Sequence, residues 1–150
     1  MIPAQEQILR AVEAAIKGIT AIPGLTVARN RIEPPSEDEM PQVRMFQGPQ
    51  EDATIFTGED GYAQTVIFEG WVTGLTEQET QLTRARLQAE IHKALHSDVT
   101  LGGLARDIRP PDQPLPERLD LEPAPTVLGF EVAYVVEYAT AEGDPYTLLS

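Results

Sequence analysis

Apolar residues recur along this chain with two different periods. Ile8, Leu9, Val12, Ile16 and Ile19 fall at helical spacing and form one stripe. They predict a helix from about Pro3 to Thr20. Pro3 suits a first turn, where its missing N–H costs nothing. Pro23-Gly24 ends the element, and Leu25 to Arg29 reads as a short strand. Residues 30–41 form an acidic loop closing at Pro41. Val43, Met45 and Phe46 suggest a second strand. Gly48 to Asp52 reads as a turn, Ala53 to Thr57 as a third strand, and Gly58-Glu59-Asp60-Gly61 as another turn.

Tyr62 to Thr73 is a long alternating run. Tyr62, Val66, Phe68 and Val72 share one face; Ala63, Ile67 and Trp71 share the other. Large apolar groups on both faces predict a strand covered on both sides for part of its length. The second helix starts at a capping box, with Thr76 as N-cap and Glu79 three residues on, and continues to about Ser97. Leu87, Ile91, Ala94 and Leu95 form one face. Leu82, Ala85 and Ala89 fall nearly opposite. A helix with two apolar faces touches two surfaces, and the second can be another subunit. The plainer reading is that these residues are simply good helix formers.

Leu104 to Ile108 reads as a short strand. Residues 109–126 hold six prolines, namely Pro110, Pro111, Pro114, Pro116, Pro123 and Pro125. Such a stretch is an extended arm for a neighbour or a mobile loop. Leu128, Phe130, Val132, Tyr134, Val136 and Tyr138 alternate through the last long strand. At about 3.3 Å per residue it spans about 40 Å, against a radius of gyration of about 15 Å for a domain of this size. It should therefore be central in its sheet. Gly143 to Tyr146 is a turn. The expected fold is one α+β domain over residues 1–150. It has a mostly antiparallel mixed sheet of five or six strands with two main helices packed on it.

Composition adds limits. The 24 acids against 11 bases give a net charge of −13. Without clustered Lys and Arg, stable nucleic-acid binding is not expected. The charge suits a surface that repels DNA, a basic partner, or solubility alone. With no cysteine, thiolate nucleophiles and Cys-based zinc sites are excluded. No signal peptide is visible and no apolar stretch approaches a membrane span, so a soluble protein made in the cytoplasm is expected.

Candidate chemistry is sparse. His92 and His96 lie four apart on the second helix, a spacing that places both rings on one face. Glu90 and Asp98 are nearby oxygen ligands. The segment His-Lys-Ala-Leu-His lacks the glutamate of the zinc-protease motif, so solvent-facing or interface histidines are the simpler reading. None of the three serines lies in a nucleophile elbow. No catalytic, cofactor-binding or metal residue is assigned, and no cofactor is expected. Gly102 and Gly103, after Asp98, read as a structural joint. One glycine would end the helix and the next would permit close packing.

That joint, Asp98-Val-Thr-Leu-Gly-Gly-Leu-Ala-Arg-Asp-Ile108, resembles the tail terminator (tail completion) proteins of long-tailed phages and related prophages. Matching pieces follow in order: the opening helix with Gly24 to Arg31, Met40-Pro41, Gly70-Trp71-Val72-Thr73-Gly74, and Tyr134 to Tyr138 with Gly143-Asp144-Pro145. The proline-rich insert at 109–126 departs from the pattern. The resemblance implies a non-enzymatic virion protein. It would form a hexameric ring that caps the head-proximal end of the tail tube, ends its polymerisation and offers a head-joining surface. The implied partners are further copies of the chain, the tail tube protein and the head-completion protein. DNA would pass through an acidic lumen without stable binding, and no membrane is involved. The implied location is the virion tail, with assembly in the host cytoplasm. A head–tail connector, a small metal-dependent hydrolase using His92 and His96, and a plain soluble binding module are the alternatives. The expected interface residues are Leu82, Ala85 and Ala89; Pro110, Pro111, Pro114 and Pro116; and the acids Glu37, Asp38, Glu39, Glu59 and Asp60.

Overall fold

A computed structural model describes residues 1–53, 56–112, 119–121 and 127–149. Helix α1 (Ala4–Lys17) is followed by β1 (Thr26–Arg29), β2 (Gln42–Asp52) and β3 (Glu59–Thr73). Helix α2 (Glu77–His96) precedes β4 (Asp107–Arg109), β5 (Leu119–Leu121), β6 (Val127–Ala141) and β7 (Leu148–Leu149). The sheet runs β1-β2-β3-β6-β4, with short β5 and β7 also pairing to β6. Among the described residues only the β1–β2 pair is parallel; β2–β3, β3–β6 and the three short pairings to β6 are antiparallel. The fold is the expected α+β class with a mixed sheet. Its extra strands are pieces of two and three residues.

Strand β6 is central, as its length requires. It pairs with β3 from Val127 to Ala141 without interruption. Its alternation puts Leu128, Phe130, Tyr134, Val136 and Tyr138 into the core beside Val66, Phe68 and Val72 of β3. The helices close that core from one side. Ile8, Leu9, Val12 and Ile16 of α1 and Leu87, Ile91 and Leu95 of α2 are buried in it. Thr76 caps α2 by accepting the Glu79 N–H at 3.1 Å on its hydroxyl, which satisfies a donor left free by the first helical turn.

Two glycines explain how β3 and β6 lie close together at one end. Gly70 stands opposite Phe130, and Trp71 stands opposite Gly129. A Cβ at Gly70 would lie 2.3 Å from the Phe130 ring. A Cβ at Gly129 would lie 3.1 Å from the Trp71 ring. Each aromatic ring therefore covers the glycine across from it, one pair on each face of the sheet.

Several expectations need correction. α1 ends at Lys17 rather than near Thr20. Residues 48–52 are strand, because a register shift between Gln47 and Gln50 takes up Gly48-Pro49 without turning the chain. Glu59, Asp60 and Gly61 are also strand, leaving Gly58 (φ +86°) in the turn. Ala53, Phe56 and Thr57 are not strand, and Thr54 and Ile55 lie outside the described residues. Within the acidic loop, Glu37–Glu39 form a 3-10 turn. The proline-rich stretch contains β5.

Candidate functional site

The joint after α2 is built by one carboxylate. Asp98 accepts the Thr100 N–H at 3.0 Å and the Thr100 hydroxyl at 2.6 Å on one oxygen, and the Gly102 N–H at 2.8 Å on the other. The Thr100 hydroxyl, then those two N–H groups, hold its pKa below the ordinary value. Leu101 (φ +50°), Gly102 (φ +72°) and Gly103 (φ +94°) all take left-handed backbone. The role assigned to each glycine is corrected here. The helix ends at His96 with Ser97 as its cap, five residues earlier. Nothing lies within 4 Å of a Cβ at Gly103, so turning, and not close packing, requires it.

Helix α2 presents a second face to solvent. Leu82 is 51% exposed, and Ala85 and Ala89 are exposed beside it. Arg86 and Lys93 are exposed on the same side at helical spacing. His92 and His96 continue this face. Their rings stack at 4.1 Å. His92 Nδ1 lies 3.2 Å from the Tyr134 hydroxyl, and His96 Nδ1 lies 3.0 Å from the His92 carbonyl. Among the described residues, no third histidine, aspartate or glutamate joins them in a metal-binding group.

The opposite face of the sheet holds an open hollow of about 550 Å³. Ala63, Thr65 and Ile67 of β3 and Ala133 and Val135 of β6 form its floor. None of these belongs to the core cluster that the helices close. Pro49, Glu51, Arg109, Pro111 and Asp112 form its walls. A shallower depression adjoins it through Ile67, lined by Ile32, Phe46, Glu69 and Glu131. Ile32 is 85% exposed there. Sequence reasoning noticed the two-faced alternation of β3 but not this hollow. Cover on both faces holds at Trp71, while Ala63, Thr65 and Ile67 stay half-buried.

The acidic residues separate into engaged and free groups. Glu59 is 8% exposed. It accepts two 2.6 Å hydrogen bonds from Arg106, which lower its pKa and raise that of Arg106. Asp60 accepts the Gly143 N–H at 3.0 Å. Glu39 is bound by Arg31, and it closes a capping box on Ser36. These bonds, that from Arg31 first, hold its carboxyl down to about 2. Glu37 and Asp38 are exposed. Pro110 is exposed and Pro111 walls the sheet hollow. Pro114 and Pro116 lie outside the described residues, as do Pro123 and Pro125.

Two arginines escaped sequence reasoning, Arg106 because its partner is distant and Arg44 because only the folded sheet buries it. Arg106 meets Glu59 across 47 positions. Arg44 is 1% exposed. It donates to the Gln42 side chain at 2.7 Å and to the Arg31 carbonyl at 3.1 Å, which ties the acidic loop to the sheet. Burial lowers its pKa while the nearby Glu69 opposes the shift.

No known family profile matches the chain, and no curated protein matches it. Among solved structures, one similar chain belongs to a particle described as "Virion of native gene transfer agent (GTA) particle". The two chains are 14% identical, each is covered over 90% of its length, and the TM-score is 0.40.

Proposed function

We propose that this chain is a structural subunit of a phage-type tail. Six copies close into a ring on the head-proximal end of the tail tube, stop its growth and present the surface that the head-completion protein meets. The tail tube protein binds the other rim, and DNA passes through the lumen without stable attachment. The subunit is assembled in the host cytoplasm and ends in the virion tail.

One observation carries this reading. Helix α2 fills the core with Leu87, Ile91 and Leu95 while leaving Leu82, Ala85 and Ala89 in water. A helix that fills the core with one apolar face and turns a second one outward is suited to contact with another chain. The segments that carry the tail terminator resemblance support it. They coincide with the β1 region, the ends of β2 and β3, the α2–β4 joint and the middle of β6. Glu37 and Asp38 remain available for a lumen or tube contact, whereas Glu59 and Glu39 already serve the fold.

Native mass spectrometry and electron microscopy with tail tubes test the proposal. The expected particle has a mass of about 99 kDa, six times 16.5 kDa, either free or formed on the tube end. Chains that stay monomeric and neither cap nor shorten tubes would overturn it.

A further inference from the structure

Two groups of opposite charge lie on opposite sides of this fold. Arg29, Arg31, Arg106 and Arg109 are paired to carboxylates within the chain, and Arg44 is buried. Arg86 and Lys93 have no such pairing among the described residues and flank the Leu82–Ala89 stripe of α2. The outer face of the sheet carries the opposite arrangement. Its floor, half-buried at Thr65 and Ile67, is rimmed by Glu51, Asp112, Glu69 and Glu131, and the wall base Arg109 is neutralised by Glu137. The dimensions also agree. Leu82 to Lys93 extends about 16 Å along a helix, and Ala63 to Ile67 extends about 13 Å along a strand.

From this complementarity we infer that the occupant of the outer sheet face is α2 of a second copy of this chain. Leu82, Ala85 and Ala89 lie on the apolar floor. Arg86 and Lys93 meet the acidic rim. The two surfaces lie on opposite layers of the fold, since α2 covers the inner side of the β3–β6 sheet and the hollow is on the other. The contact is therefore head-to-tail, and repetition closes a ring or continues as a filament. A net charge of −13 per copy opposes unspecific self-association, so the cationic stripe supplies direction as well as attraction. The inference deepens the ring reading by naming the faces that meet.

The absence of cysteine allows a clean test. Ala89→Cys and Thr65→Cys are made separately, mixed and oxidised. The expected product is the mixed disulfide dimer, in clear excess over either homodimer. In parallel, Arg86→Glu/Lys93→Glu and Glu51→Lys/Asp112→Lys should each weaken self-association about 100-fold at low salt, as like charges are brought together. Mixing the two charge variants should restore assembly, because each then offers the surface that the other needs. Circular dichroism of each variant shows that the fold is kept. A random distribution of disulfides, or charge variants that assemble like the parent, overturns the inference. Tube capping without the mixed disulfide overturns the face assignment and leaves the ring standing, with the sheet face given to another partner. The mixed disulfide without capping does the reverse.

Discussion

Substituting Gly70 by alanine tests how closely β3 and β6 are fitted. The new Cβ would lie 2.3 Å from Phe130 Cε1 and 2.4 Å from Cζ. Ordinary contact begins near 3.4 Å, so the ring must retreat by about 1 Å. Phe130 is 5% exposed and belongs to the core cluster. A close-packed interior has little room for that movement. Overpacking of this kind costs about 1–3 kcal/mol. Replacing a strand glycine returns about 0.5–1 kcal/mol of backbone entropy. The expected net loss is about 1–2 kcal/mol.

Gly129→Ala is the internal control. Its Cβ would approach Trp71 at 3.1 Å, and Trp71 lies outside the core cluster. Overpacking and entropy should nearly cancel there, within about 0.5 kcal/mol. Urea midpoints at constant m-value measure both. Trimming the ring with Phe130→Leu should make the double variant less unstable than the two single losses combined. A Gly70→Ala protein as stable as the parent, or less affected than Gly129→Ala, would refute the reasoning.

Four other substitutions test other parts of the fold. Thr76→Ala removes the α2 cap and should cost about 1 kcal/mol, or about 3 °C in Tm by calorimetry. Glu39 is held at about 2 against an ordinary 4.5, so its stabilising effect is complete above pH 4.5 and disappears as pH falls through 2. The stability gap between the parent and Glu39→Gln should therefore shrink on acidification; a gap unchanged between pH 7 and pH 2.5 would contradict this. Leu87→Ala, at a fully buried site, should cost about 2–5 kcal/mol in urea. Leu82→Ala should change stability by less than about 0.5 kcal/mol yet reduce assembly in light scattering.

The legible parts of this fold are those whose signal is local. Thr76 and Glu79 announce α2 within four positions, and the six alternating apolar residues of β6 need no partner to be read. The misread parts depend on distant pairing. Gly48-Pro49 has the composition of a turn, but the β2–β3 register holds it as an irregular strand. Glu59 resembles a solvated loop acid until Arg106 arrives from the far side of α2. Of the expected contact residues, the α2 stripe lies in solvent, whereas Glu59, Asp60 and Glu39 are engaged within the chain. The sheet hollow draws residues from β3, β6 and the segment after β4, and no single window of sequence contains that combination.

The position of β6 also bears on how the chain folds during synthesis. β3 is made long before β6, and its whole length waits for that partner. Until β6 emerges, one edge of β3 has unpaired backbone, and Val66 and Phe68 have strand neighbours on the β2 side alone. β4 and β5 have no strand to join in that interval, since both pair with β6. The β1–β2–β3 part of the sheet has its partners early, whereas the part built on β6 closes late, through contacts distant in sequence. Such a topology makes for slow folding and leaves the nascent chain dependent on protection of a bare strand edge.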